Sequence, residues 1–212
     1  MTRAESYLLA GYVAGFPWAP PPGPYGIAAL PPTVATVSEC LTDFLPSGQD
    51  LEPWQQQLFE PWHRSLRQAA DAARRAPAGQ PTVHVLSVSL TAATATRLTA
   101  MVQDWIGDPP RPILVNLAQP TAAAPGTIQG FEVLGFEAGK FHSWLCYRLD
   151  TPALRELGIR PGNAGLLATA DEAQRIADMA NNDGGTPEEI TWFPVRITEH
   201  DIHSAGTVVP GQ

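Results

Sequence analysis

A carboxylate, an imidazole and a thiol stand close together in the stretch Gly135-Phe136-Glu137-Ala138-Gly139-Lys140-Phe141-His142-Ser143-Trp144-Leu145-Cys146-Tyr147. Its pattern predicts a helix over 140–149. At about 100° per residue, Phe141, Trp144, Leu145 and Leu149 then share one face, while His142 and Cys146, four apart, meet on its shoulder. Helical side chains lean toward the N-terminus, so the Cys146 sulfur approaches the His142 ring. A nucleophilic thiol needs a lowered pKa, which an imidazolium or Lys140, the one lysine of the chain, can supply. Glu137 is the group that would orient His142. The plainer role for the same residues is packing, with Cys146 as a small hydrophobe. Ser143 has no G-x-S-x-G around it, and Cys146 has none of the thiol-protease signatures.

A second group is Glu199-His200-Asp201-Ile202-His203, where His200 and His203 are weak candidates for a metal. The spacing is not H-E-x-x-H, no cysteine cluster completes a site, and the stretch reads as a solvated turn. His84 lies on the apolar parity of its strand and reads as a histidine at the edge of the core. Leu90-Thr91-Ala92-Ala93-Thr94 passes from strand to helix, a place where an anion can sit. It lacks the glycines of both G-x-G-x-x-G and the P-loop, so nucleotide binding is poorly supported and no cofactor is expected.

The elements that must position these groups follow from periodicity. Strands are predicted at 7–15, 82–90, 113–117, 128–137 and 190–198, with Pro194 better suited to an edge. Trp54, Leu58, Trp62 and Leu66 recur every four residues after Asp50, a helical stripe that Ala69 and Ala73 continue and Pro61 must kink or restart. Thr91 opens a further helix, closed by Gly107 and Pro109. The strand, helix, strand order around it predicts a right-handed parallel pair. A short helical piece ends at Gly158, and Asp171 with Gln174 is read as the capping pair of a helix that stops at Asn181-Asn182. The fold class is therefore α/β (or α+β), one domain over 1–212 with a mixed β-sheet flanked by helices. Residues 16–32 form a proline-rich loop in which Trp18 and Tyr25 could contact a partner, and 204–212 form a flexible tail.

Composition narrows the function. The chain has 212 residues, 44% of them hydrophobic, enough to bury a core without disulfides, and its two cysteines are expected as reduced thiols in the cytoplasm. Glu5 stands where a signal peptide would be basic, and no segment approaches the roughly 20 apolar residues that span a membrane. A net charge of −8 disfavours nucleic acid, which needs cations against its phosphates, and suits either solubility or a basic protein partner.

The run Gly130-Phe131-Glu132-Val133-Leu134-Gly135-Phe136, followed by Phe141-His142-Ser143-Trp144-Leu145-Cys146, resembles a segment of small bacterial proteins, some similar to the immunity proteins of toxin systems. With Gly165-Leu166-Leu167 and the Asp171 helix the resemblance covers the last third of the chain. It implies a specific inhibitor or binding protein acting on a basic, toxin-like partner, and carries over no residue's role; the candidate contact residues of this chain are Trp18, Tyr25, Lys140 and Trp144. The alternatives are a small enzyme of specialised metabolism using Cys146, His142 and Glu137, and a small-molecule binder rimmed by Trp18, Tyr25, Trp54 and Trp62.

Overall fold

Long apolar runs buried on both faces give four long strands: β1 (Tyr7–Phe16), β3 (His84–Thr91), β4 (Thr127–Glu137) and β6 (Thr191–His200). Two short ones, β2 (Asp43–Phe44) and β5 (Lys140–Ser143), complete a six-stranded sheet of order β2-β1-β3-β6-β4-β5. The structure is a computed structural model that describes residues 6–16, 36–38, 43–44, 62–76, 82–106, 116–119, 121–137, 140–182 and 190–202. Trp18, Tyr25, Cys40, Trp54, Leu58 and His203 lie outside them, as do most of the 16–32 segment and the 204–212 tail. The helices are α1 (Leu66–Arg74), α2 (Ala92–Ile106), α3 (Asp150–Pro152), which continues as a π-helical turn over Ala153–Leu157, and α4 (Ala170–Asn182).

The single α/β domain with a sheet flanked by helices is thus observed, with helices on both faces. Leu86, Val88, Leu90, Leu134, Phe136 and Ile197 point to one face, where Leu98 of α2 and Trp62 cover them. The opposite parity packs against α1 through Leu9, Tyr12 and Val85, and against α4 through Val133 and Trp192. No helix among the described residues is long and apolar enough to cross a membrane.

Local readings differ in four places. The expected parallel pair does not occur among the described residues: every ladder there is antiparallel, residues 113–115 lie outside them, and Asn116 and Leu117 lie in a helical turn. Trp62 is not part of a helical stripe; it precedes α1, only 1% exposed, with its ring 5.2 Å from Phe141. The helix restarts after Ser65, whose side chain and that of Gln68 form a capping box. At α4 the capping pair is Thr169 with Glu172, two residues earlier than expected: Thr169 Oγ1 accepts from the Glu172 N–H at 3.2 Å, and Glu172 Oε2 accepts from the Ala168 and Thr169 N–H groups. Finally, residues 140–149 are not a helix. Lys140–Ser143 pairs with Glu137–Leu134 as the return strand of a hairpin, and turns follow from Trp144.

Pro194 sits in β6, between two neighbours in the sheet, and the ladders explain how. It pairs with Val133 on the β4 side, while the β3 ladder stops at Ser89 and Arg196. Its missing donor faces the side β3 no longer reaches. Trp192, two residues earlier, meets the same gap, and Asn181 fills it: its Nδ2 donates to the Trp192 carbonyl at 2.8 Å and its Oδ1 accepts from the Trp192 N–H at 2.9 Å. Asn181→Ala leaves both backbone groups without these partners and should lower stability by about 1–2 kcal/mol in denaturant titration. An unchanged midpoint would show that water replaces the clamp without loss.

Candidate functional site

Among the described residues, Glu132 stands out as a carboxylate that β4 turns inward on the parity of Leu134 and Phe136. It is 0% exposed. The Thr36 hydroxyl donates to its Oε1, the Val37 N–H donates to Oε2 at 3.3 Å, and the Ser143 hydroxyl is a third donor. Burial pushes its pKa up to about 7, against the pull of those three bonds. Desolvation therefore wins over hydrogen bonding, and near neutral pH the carboxyl is poised between its two forms. The chain of contacts runs on. Thr36 Oγ1 accepts from the Ser38 N–H at 3.1 Å, and the Ser38 hydroxyl lies 3.0 Å from Cys146 Sγ, which ties residues 36–38 to the turn after β5.

The expected thiol and imidazole lie on a turn and on the strand before it, not on one helix. Because Lys140–Ser143 is a strand, residues 142 and 146 are not one helical turn apart. His142 pairs with Gly135 in the ladder and sends its ring to the α4 face. There Nε2 lies 3.5 Å from Glu137 Oε2, the carboxylate that also accepts from the Tyr147 hydroxyl at 2.6 Å. The Tyr147 ring stands edge-on to both His142 and Trp192, each 5.4 Å away. Glu137 and His142 are thus brought together, and Cys146 meets Ser38 and packs against the cluster that includes Trp144 and Trp192. Trp144 is fully buried against the α4 side.

His200 does not lie in a solvated turn. It is the last residue of β6, 4% exposed, edge-on to Tyr12, with Nε2 2.8 Å from Ser87 Oγ and Nδ1 3.1 Å from the Pro125 carbonyl. A strand end, rather than a turn, is what the ladder with Val85 produces. Burial lowers its pKa, partly offset by the Pro125 carbonyl and Glu199. No group of three or more metal-ligating side chains occurs among the described residues. His84 Nδ1 meets Glu199 Oε1 at 2.5 Å, and Glu199 Oε2 accepts from Gln129 at 2.7 Å.

Sequence reasoning missed Glu132, Thr36 and Ser38 as a unit. One signal was present: a carboxylate on the parity of Leu134 and Phe136 in a strand has to be buried and must find donors. Where the donors come from was not readable, since Thr36 and Glu132 are far apart in the chain.

Fold and site together define a single-domain α/β protein built on an antiparallel sheet, with a buried carboxylic acid under one face. Compared with protein-family models, with curated proteins and with solved structures, the chain matches none of them.

Proposed function

We propose that the chain is an acidic binding protein of the immunity or inhibitor type, acting in the bacterial cytoplasm on a basic, toxin-like protein partner. The observation that carries this reading is the sealing of Glu132. Glu132 is fully buried and holds three donors, so it works as an internal tie and not as a group that meets substrate. What remains for function is the surface, and the net charge of −8 suits it to a cationic partner. The test is co-expression with the products of adjacent reading frames. A basic product that forms a stoichiometric complex, weakened as ionic strength rises, is the expected result. Failure of every neighbouring product to bind would remove the proposal.

One contact favours a catalytic reading instead. Glu137 lies beside His142, as a base and its orienting carboxylate would. That reading further needs Cys146 as a thiolate at neutral pH. Rates of iodoacetamide labelling against pH decide it. On the binding-protein reading labelling of Cys146 is slow at neutral pH and His142→Ala leaves the rate unchanged. A midpoint well below 7 that His142→Ala abolishes would reverse the choice.

A further inference from the structure

The donors around Glu132 are arranged for a charged carboxylate. Thr36 Oγ1 accepts from the Ser38 N–H and donates to Glu132 Oε1, while Ser143 Oγ accepts from the Leu145 N–H at 3.2 Å and donates to the same carboxyl. Each hydroxyl has one proton, and each directs it at Glu132. The third donor, the Val37 N–H, can only donate. Hydrogen bonds to an ionised acceptor are roughly twice as strong as those to a neutral one, so a proton on Glu132 weakens all three. That proton also needs an acceptor of its own, and Thr36 or Ser143 can serve only by turning its hydroxyl proton away.

Two segments depend on this one carboxyl. Residues 36–38 meet the sheet there, and meet the turn after β5 where Ser38 Oγ lies 3.0 Å from Cys146 Sγ. Ser143 ends β5 and leads into that same turn, which holds Leu145. No charged side chain contributes to the Glu132 titration: burial raises its pKa and the three bonds lower it. Glu137 on β4, His142 on β5 and Arg196 on β6 take the opposite parity, toward α4 and Tyr7. Arg97 of α2 is exposed, His63 pairs by its backbone with Tyr12 on β1, across β3 and β6 from β4, and Cys146 joins the network through Ser38.

We propose that Glu132 is a buried proton switch: ionised, it latches residues 36–38 and the turn after β5 to the sheet, and protonated, it slackens both. The latch is local. Protonation favours the fold as a whole, because it removes a buried charge, yet it loosens the two segments that this charge holds. The switch goes beyond the partner-binding role and stands or falls separately from it.

Amide hydrogen exchange of the full chain, corrected for intrinsic rates, tests it. The reporters are the Val37, Ser38 and Leu145 amides, whose bonds make up the network, and the references are Val88 and Ile197, paired in the β3–β6 ladder. Glu132→Gln cannot ionise. Above about pH 7 the three reporters should exchange about tenfold faster in this variant than in the native protein, while the references exchange no faster; below pH 4.5 the two proteins should agree. Reporters and references changing together, or a difference of equal size at both pH values, overturns the proposal. The native protein alone decides the matter if the variant fails to fold. Its reporter protection, taken relative to Ile197, should rise with the same midpoint as the Glu132 carboxyl carbon shift, and a flat ratio across that titration overturns the switch.

Discussion

Replacing Glu132 with glutamine should abolish a loss of stability that the native protein shows as pH rises from about 4.5 to about 7. The folded state holds the Glu132 proton more tightly than the unfolded chain does, so unfolding within that window releases a proton and becomes easier as pH increases. The contribution is complete below the ordinary carboxylate value of 4.5 and gone above about 7. The displacement is worth on the order of 3 kcal/mol across the window. Glutamine resembles the protonated acid in shape and charge, so Glu132→Gln should match the native protein in acid and exceed it at neutral pH. Glu132→Ala instead strips Thr36, Val37 and Ser143 of their common acceptor and should cost about 2–4 kcal/mol in acid, a cost that shrinks toward neutral pH as the native protein loses the Glu132 contribution. His200 acts with the opposite sign. Its lowered pKa makes its contribution complete above the ordinary value of 6.5 and lost as pH falls through the folded value. Denaturant midpoints of native and Glu132→Gln proteins across pH, taken as a difference, cancel the His200 part. Parallel curves for the two would refute a carboxyl kept protonated by burial.

Gly130→Ala should be among the most damaging single-methyl additions to the sheet, at about 3 kcal/mol. Gly130 has φ 151°, beyond the comfort of an L side chain, and marks the register shift in the β4–β6 ladder. A Cβ there would meet the Leu167 carbonyl at 2.7 Å. That carbonyl is not free to retreat, because Leu167 and Phe131 exchange two backbone bonds, 2.9 and 2.7 Å long, which tie the segment before α4 to the sheet. Gly135 makes a useful contrast. Its Cβ would meet the Trp192 ring at 2.8 Å and Ile190 at 2.7 Å, both side chains. Gly135→Ala should therefore cost less, about 1–3 kcal/mol, as the indole is displaced in a packed core. Thermal melts of the two variants check the order, and Gly135→Ala proving the worse would show that the Leu167 segment yields more readily than the Trp192 ring.

The four long strands, α2 and α4 were legible because each is long enough for its period to declare itself. In β4, Leu134 and Phe136 recur on one side and Phe131 and Val133 on the other, and no helix has that pattern. The 140–149 stretch misled for the opposite reason. Phe141, Trp144 and Leu145 fit a helical face, yet Phe141 and Ser143 also alternate inward, and only four residues form the strand. Pairing with β4 decided between them. With that choice the helix expected to carry both His142 and Cys146 gave way to a strand and a turn, and the contact of His142 with Glu137 arose across the hairpin.

Periodicity and composition alone determined an α/β domain, its main elements, its acidity and the absence of a P-loop or dinucleotide fingerprint, since these depend only on neighbours in the chain. The direction of the ladders, the burial of Glu132 under Thr36 and Val37, and the place of His200 at a strand end were decided by tertiary structure. Each of those depends on groups that meet only when distant segments pack, and no local pattern records which of them will meet.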